Sequence, residues 1–282
     1  MTPQSFTVFA TLLRAGSGLA ITPDKLYLLE TRLTPLVKRE NLSGLDALAE
    51  RLRSPTQTLL AREVVEAMTT NESFFFRDDR PFTHMRTQAL PRLHAARPAG
   101  ARLRIWSAAA STGQEAYSLA MLVAENRAML GGREVEILGT DIAREPLARA
   151  REGTYTQFEI QRGLPMQLLV KYFRKDGPQW RLADAIRAMA SFREWNLLGD
   201  LRPLGQFDVV FCRNVLIYFD QPTKTRVLEA IARQMAQDGL LYLGGAETVL
   251  GITDRLVPSG ADHGVYQLAG SAAGAARERV VA

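Results

Sequence analysis

Cysteine, histidine and long apolar runs are all scarce in this sequence. Its 282 residues include one cysteine, Cys212, and three histidines, His84, His94 and His263. A single cysteine excludes an internal disulfide, and scattered histidines give no pattern typical of a metal site. No apolar run approaches the roughly 20 residues of a membrane helix, and no basic segment precedes the apolar residues 6–13, as a signal peptide would require. The sequence therefore predicts a cytoplasmic protein that is not membrane-inserted and holds no metal.

Runs of lysine and arginine with interleaved aromatic residues, which are typical of nucleic-acid binding, are also lacking. The formal net charge is nevertheless +5, and the apolar fraction of 46% is that of an ordinary globular protein. The positive charge favours a partner rich in carboxylates over nucleic acid. A mildly basic globular protein with no acidic partner is the alternative.

Residues 1–70 have helical patterns, and we predict an all-helical N-terminal domain there. Thr22-Pro23-Asp24 is a typical helix start, and residues 45–52 and 57–68 give two further helical patterns. A polar and aromatic connector at 69–80 and a helix over 82–96 follow. We interpret residues 71–100 as a linker with a connecting helix.

From residue 102 onward, strand and helix patterns alternate, which predicts a doubly wound parallel α/β sheet within a domain over residues 101–270. The predicted strands are at 102–110, 135–142, 207–214, 239–245 and 264–269, and the predicted helices at 114–126, 145–151 and 223–236. Residues 153–195 fit this alternation poorly. We interpret them as an insertion with a helix near 165–173 and a β-hairpin around the Lys175–Pro178 turn. Residues 271–282, rich in Ala, Gly and Arg, are predicted to be a disordered tail.

Two stretches begin as apolar strands and end in small or polar residues: RIWSAAASTGQEAYS at 104–118 and FDVVFCRNVLIYFD at 207–220. Ligands of open α/β sheets bind at the carboxyl ends of the strands. In the first stretch, Ser111-Thr112-Gly113 leads into a helix. Small residues and free N–H groups at such a place allow a ligand to approach the backbone closely.

Asp141 ends the second predicted strand, where an acidic residue accepts hydrogen bonds from ribose hydroxyls. This position suits NAD, a flavin or S-adenosylmethionine, and a turn or helix-cap aspartate is the alternative. The loop before Glu115 lacks the spaced glycines that bind a pyrophosphate. Glu115 would attract the cationic groups of S-adenosylmethionine and repel phosphates, although it could also simply interact with the helix dipole.

Two other polar residues are ambiguous from the residues alone. Asn214 follows a predicted strand and fits either a ligand contact or a turn. Arg77 follows three phenylalanines and precedes Asp78 and Asp79, which favours a salt bridge in this segment.

Five segments in this order closely resemble the CheR family: TTNESFFFRD, RIWSAAASTGQEAYSLA, LGTDI, WNLL and FDVVFCRNVLIYFD. These proteins are S-adenosylmethionine-dependent methyltransferases that esterify glutamate side chains on chemotaxis receptors. The resemblance extends from the N-terminal helices to Tyr266. It implies a small helical N-terminal domain and a Rossmann-like methyltransferase domain, with an antiparallel β-subdomain inserted at about 153–195.

The resemblance also implies roles for individual residues around the cofactor. Glu115 matches the acidic residue of the loop, and Asp141 the ribose-binding acid. The other matches are Asn71, Ser73 and Arg77 in a segment that reaches back over the cofactor, Asn196 and Leu197 beside the adenine, Asn214 and Val215 beside the methionine portion, and Arg77 and Tyr218 near the transferred methyl.

Three positions depart from the family pattern. Gln114 and Ala116 replace the usual Glu and Pro, and Ser73 replaces the usual Thr. Cofactor binding is still expected, because Glu115 remains and Ser73 keeps a hydroxyl.

The implied reaction transfers a methyl group from S-adenosylmethionine to glutamate γ-carboxylates, giving methyl esters and S-adenosylhomocysteine during sensory adaptation. The implied partner is the cytoplasmic helical region of methyl-accepting chemotaxis receptors. A carboxylate is already ionised at neutral pH, so no general base is needed. The alternatives are a methyltransferase acting on nucleic acid or a small molecule, and a non-catalytic signalling module that binds S-adenosylmethionine.

Two features bear on how receptors would be recognised. A docking face for glutamate-rich helices is predicted from Lys25, Arg32, Lys38, Arg39, Arg51 and Arg53, with solvated helix faces and local ion pairs as the alternative. In some family members the β-subdomain also captures a receptor tail peptide by strand addition. The short Lys175–Pro178 turn predicts that this protein does not.

Overall fold

The structure is a computed structural model, which describes residues 1–260 and 262–271. The predicted tail lies outside the described residues from position 272 onward. The backbone divides into two compact units. The first contains Met1–Thr70 and Tyr218–Lys224, and the second contains Asn71–Ile217 and the residues from Thr225 onward.

The first unit confirms the helical prediction for the N-terminal residues. Its helices are α1 (Pro3–Ser17), α2 (Leu26–Arg39), α3 (Leu45–Leu52) and α4 (Thr58–Met68). Thr2 caps α1, because its hydroxyl accepts the Ser5 N–H at 3.2 Å. The apolar residues at helical spacing, such as Leu29 and Leu33 of α2, are buried and form the core of this unit.

The basic residues of this unit mostly have local partners. Arg39 and Arg51 form ion pairs with Glu40, and Arg53 pairs with Glu50. The alternative of local ion pairs therefore holds for these three arginines.

Arg32 has a different role from that of a surface charge. Its guanidinium donates to the Met68 and Thr69 carbonyl oxygens at 2.7 and 2.9 Å, and to the Thr70 hydroxyl at 3.0 Å. It therefore satisfies backbone carbonyls at the end of α4, and its docking role stays a prediction.

The second unit begins with a connecting segment and continues as alternating strands and helices. In chain order its elements are α5 (Arg80–His84), a π-helical turn (Met85–Ala89), α6 (Leu90–Ala96), β1 (Leu103–Ala108), α7 (Gln114–Glu125), β2 (Val135–Asp141), α8 (Arg144–Glu152), β3 (Thr154–Thr156), α9 (Gln157–Gln161), α10 (Met166–Tyr172), β4 (Phe173–Asp176), β5 (Gln179–Leu182), α11 (Asp184–Arg187), β6 (Ala190–Glu194), β7 (Phe207–Cys212), α12 (Gln221–Arg233), β8 (Met235–Leu243), β9 (Leu256–Pro258) and β10 (Val265–Leu268).

The large sheet has the order β6-β2-β1-β7-β8-β10-β9. The first five strands are parallel to their neighbours, whereas β10 and β9 are antiparallel. Successive residues such as Ile105 and Trp106, or Val209 and Val210, are all buried. Both faces of these strands are therefore covered, which explains their continuous apolar runs and confirms the doubly wound prediction.

A separate antiparallel sheet, β3-β5-β4, forms the predicted β-subdomain. The hairpin and the helix before it lie where they were predicted. The core of this subdomain is aromatic, with the Phe75 ring edge-on to Tyr155 and Phe173 at centroid distances of 5.0 and 5.6 Å.

The predicted insertion over residues 153–195 extends too far. Its last part, β6, pairs in parallel with β2 and is the edge strand of the large sheet. This strand was missed because Phe192 is its only buried residue, and the exposed Ser191 and Arg193 weaken the apolar pattern. Within the described residues, no helix is long and apolar enough to cross a membrane.

Candidate active site

The parallel strands bring their carboxyl ends to one edge of the large sheet. Ala108 at the end of β1 is in register with Thr140 of β2 on one side and with Cys212 of β7 on the other. The segments that follow these strands therefore begin side by side, where sheets of this class bind ligands.

The turn between β1 and α7 is tightly constrained. Ala109, Ser111 and Gly113 have φ values of 60°, 51° and 91°. A Cβ atom on Gly113 would lie 3.0 Å from the Ala150 Cβ and 3.2 Å from the Phe192 ring, so both the positive φ and the lack of room favour glycine here.

Asp141 holds this turn in shape. One oxygen of its buried carboxylate accepts the Ser111 N–H at 2.8 Å, and the other accepts the Ala143 N–H at 2.9 Å. The alternative interpretation as a turn aspartate is therefore present in the structure. The contact of Asp141 with a ribose stays a prediction.

Glu115 lies in the first turn of α7 and faces the end of β7. Its carboxylate accepts the Ser107 hydroxyl at 2.8 Å and a guanidinium N–H of Arg213 at 3.2 Å. Burial raises the pKa of Glu115, while the charge of Arg213 and the Ser107 hydroxyl oppose that rise. The site therefore contains a desolvated carboxylate with one cationic neighbour.

Arg213 connects three segments that are far apart in the chain. Its side chain is 2% exposed, and one terminal nitrogen donates to the Arg77 carbonyl at 2.8 Å and to the Asp78 carboxylate at 2.7 Å. The other terminal nitrogen donates to Glu115. Arg213 therefore joins the end of β7 both to α7 and to the segment around Arg77.

Residues 71–76 lie against the turn between β1 and α7. The Ser111 hydroxyl donates to the Asn71 carbonyl at 2.7 Å, and the Phe76 N–H donates to the Ser118 hydroxyl at 2.9 Å. These contacts place Asn71 and the neighbouring Ser73 beside the predicted cofactor loop.

Arg77 is not held by the acidic residues that follow it in the chain. Its guanidinium donates to the Glu72 carbonyl at 3.3 Å and lies over the Phe74 ring at 5.2 Å. Among the described residues, no carboxylate lies within ion-pair distance of Arg77, and Asp78 pairs with Arg213 instead. The salt-bridge interpretation of Arg77 is therefore wrong.

The other predicted cofactor residues also follow strands at this edge. The backbone N–H of Trp195 donates to the Asp141 carbonyl at 2.8 Å, which brings Asn196 and Leu197 next to the end of β2. Asn214 and Val215 follow β7, and the carboxylate of Glu247 accepts both of their N–H groups at 2.8 and 2.9 Å.

Tyr218 belongs to the other compact unit. Its carbonyl accepts the Ala20 N–H at 3.0 Å. The structure therefore brings the predicted site residues of the second unit to one edge, and the placement of Tyr218 near the transferred methyl stays a prediction.

Comparison with known protein families identifies the family of this chain. Residues 71–265 match the family described as CheR methyltransferase, SAM binding domain, and residues 4–69 match CheR methyltransferase, all-alpha domain. The chain belongs to the CheR methyltransferase family.

Curated members of the CheR family are similar over most of their length. Chemotaxis protein methyltransferase Cher2 of Pseudomonas putida is 38% identical over 253 residues, covering 88% of this chain and 92% of that protein. Chemotaxis protein methyltransferase 1 of Pseudomonas aeruginosa is 40% identical over 254 residues, with the same coverage of both chains. The Vibrio parahaemolyticus chemotaxis protein methyltransferase is 36% identical over 256 residues, covering 89% and 92%. These matches confirm an S-adenosylmethionine-dependent methyltransferase.

Two residues of this CheR site, Arg213 and Glu247, were not singled out from the sequence. An arginine directly after a fully buried strand must be paired, so the position of Arg213 in FDVVFCRN was a usable signal. Glu247 follows β8 in a loop with no pattern that sets it apart from a surface glutamate, although it is buried.

Proposed function

We propose that this enzyme transfers the methyl group of S-adenosylmethionine to glutamate γ-carboxylates in the helical cytoplasmic region of methyl-accepting chemotaxis receptors. The products are glutamyl methyl esters and S-adenosylhomocysteine. Membership of the CheR family and the names of its relatives support this proposal. Because such receptor regions lie in the cytoplasm, the proposal also places the enzyme there.

The observation that carries the choice of cofactor is the distribution of carboxylates along the site edge. Glu115 follows β1, Asp141 ends β2 and Glu247 follows β8. The last two carboxylates already occupy backbone N–H groups that could otherwise bind a phosphate. Such an edge fits a cofactor that carries an ammonium and a sulfonium, and disfavours the pyrophosphate of NAD or a flavin.

The residues that would hold the cofactor follow from this fit. Glu115 would bind the ammonium group and Asp141 the ribose hydroxyls. Asn196 and Leu197 would contact the adenine, and Asn214 and Val215 the methionine portion. Asn71, Ser73 and Arg77 would cover the cofactor from the segment that packs on the β1–α7 turn.

The chemistry required of the protein is mainly positioning. When bound, S-adenosylmethionine supplies an electrophilic methyl group. The acceptor carboxylate is ionised near neutral pH, so no residue has to remove a proton from it. The site has to desolvate this carboxylate and align it.

Arg77 is suited to orient the acceptor. Its guanidinium has no carboxylate partner among residues 1–260 and 262–271, and a planar guanidinium can bind an incoming carboxylate through two N–H groups. Tyr218 would donate a hydrogen bond to the same group. We propose an orienting contact from Arg77, because a strong ion pair would reduce the nucleophilicity of the acceptor.

The test is incubation of the purified enzyme with methyl-labelled S-adenosylmethionine and receptor-containing membranes. We expect label on receptor protein that is released as methanol by mild base, which identifies a carboxyl ester. Base-stable label on protein, nucleic acid or a small molecule would instead support another acceptor. Cofactor binding without transfer to any acceptor would support a signalling module.

A further inference from the structure

The turn after β7 is organised by a carboxylate that the proposed reaction does not use. Glu247 lies four residues after the end of β8 and is 8% exposed. One of its oxygens accepts the N–H groups of Asn214 and Gly244 at 2.8 and 2.7 Å. The other accepts those of Val215 and Leu216 at 2.9 and 2.7 Å.

Three consecutive N–H groups, from Asn214 to Leu216, therefore converge on one side chain. Asn214 has a φ of 59°, which an asparagine adopts at some cost and only where the surroundings hold it there. A concave array of backbone N–H groups is an anion-binding nest. In this protein the nest is filled internally by Glu247.

The end of β8 is packed closely against the same turn. A Cβ atom on Gly244 would lie 3.0 Å from the Asn214 backbone nitrogen and 2.8 Å from its side-chain nitrogen. The close approach of Gly244 leaves the Asn214 turn little freedom to move while Glu247 is in place.

We propose that Glu247 is a positioning residue for cofactor binding, because its carboxylate fixes the backbone of residues 214–216. This inference rests on the proposed function, in which Asn214 and Val215 contact the methionine portion. Glu247 acts through these residues and is not itself a catalytic residue.

Glu247→Gln is the decisive variant. It keeps the size of the side chain but replaces one acceptor oxygen with an NH₂ donor that faces backbone N–H groups. Asp208→Asn is the matched control. Asp208 is also 8% exposed and accepts a backbone N–H, that of Arg104 at 2.8 Å, but it lies at the amino end of β7.

The measurements are calorimetric titration with S-adenosylhomocysteine, thermal melting, and hydrogen exchange of residues 213–218. Both variants should melt at lower temperature than the unaltered protein. Only Glu247→Gln should weaken S-adenosylhomocysteine binding, by about tenfold or more, and only it should exchange faster at 214–216. Glu247→Asp, which keeps the charge on a shorter side chain, should show an intermediate affinity and gives the readout if Glu247→Gln does not fold.

Equal affinity of Glu247→Gln and the unaltered protein would overturn this inference and leave the proposed function standing. If Glu247→Gln does not fold, unchanged affinity of Glu247→Asp would overturn it in the same way. Equal weakening by Asp208→Asn would also overturn it, because the effect would then be one of general stability. Failure of the unaltered protein to bind S-adenosylhomocysteine would overturn the proposed function itself.

Discussion

The guanidinium of Arg213 and the carboxylate of Glu115 meet at 3.2 Å between the ends of two neighbouring strands. Their side chains are only 2% and 14% exposed, so their charges are little screened by water. Burial raises the pKa of Glu115, and Arg213 is the cation that opposes this rise. Arg213, together with the Ser107 hydroxyl, therefore favours the ionised form of the carboxylate that is proposed to bind the ammonium group of the cofactor.

We expect the affinity for S-adenosylhomocysteine to fall as the pH decreases through the raised pKa of Glu115. Only the ionised carboxylate attracts an ammonium group, so protonation on the acid side removes that attraction. Calorimetric titrations between about pH 5 and pH 8 measure this dependence. Glu115→Gln should bind S-adenosylhomocysteine weakly at every pH. Its affinity should also lack the part of the pH dependence that comes from protonation of Glu115. A variant whose affinity changes with pH as in the unaltered protein would show that Glu115 is not the group responsible.

Asp141→Ala should affect both folding and binding. It leaves the Ser111 and Ala143 N–H groups without their carboxylate acceptor, so the free energy of unfolding should fall by roughly 1–3 kcal/mol. Loss of the ribose contacts should weaken S-adenosylhomocysteine binding by a similar amount. Urea denaturation and calorimetry measure the two effects separately. Unchanged affinity would refute the ribose assignment, whatever the stability.

Arg77→Ala should remove most transfer activity and leave a cooperative thermal transition. The structural contacts of Arg77 are few, since it has one long hydrogen bond to Glu72 and lies over Phe74. Arg162→Ala is the matched control, because Arg162 also lies over the Phe74 ring, at 4.5 Å, and forms an ion pair with Glu72. We expect kcat to drop only in the Arg77 variant. Collapse of its melting curve would instead indicate a structural role for Arg77.

The fold was more predictable from the sequence than the site. Strands β1, β2 and β7 are buried on both faces, so their apolar runs identify them without any knowledge of their neighbours. Strand β6 lacks such a run and takes its place only through pairing with β2. The predicted helix over 223–236 also ran too far, because Met235 already begins β8.

Ion pairing within the site was predicted poorly for a physical reason. Arg77 was assigned to the acidic residues next to it, whereas Asp78 pairs with Arg213, 135 positions along the chain. Glu247 likewise accepts hydrogen bonds from N–H groups that lie 31 to 33 positions earlier in the chain. Charge and proximity in sequence cannot identify such partners, because the strand order of the sheet determines which strand ends become neighbours.

Arg32 of α2 and Lys25, which directly precedes α2, should respond differently to charge reversal. Arg32 donates to the carbonyl oxygens at the end of α4, so Arg32→Glu should lower the free energy of unfolding by about 1.5–3 kcal/mol. Lys25 is exposed, so Lys25→Glu should leave the melting temperature unchanged. At low salt, Lys25→Glu should raise the KM for receptor. The effect should be smaller at high salt, because the Debye length then falls below about 8 Å and the charges are screened over a shorter distance.

Thermal melting and a salt series of transfer kinetics test this pair. An Arg32→Glu protein that melts like the unaltered one would remove the structural role. A Lys25→Glu protein with unaltered kinetics over the salt series would leave Lys25 as ordinary solvated surface.

The β-subdomain should not bind receptor tail peptides. Strand addition needs an accessible edge long enough to pair, and the β4 edge strand has four residues, of which Arg174, Lys175 and Asp176 are exposed and charged. Short, charged edge strands resist pairing with another chain. The turn to β5 consists of Gly177 and Pro178 alone. Calorimetric titration with receptor-tail pentapeptides should therefore show no binding, and removal of the tail should leave receptor methylation unchanged. Micromolar binding that is lost when β4 is altered would overturn this prediction, and the subdomain would then be a tether that raises the local concentration of enzyme near its substrate glutamates.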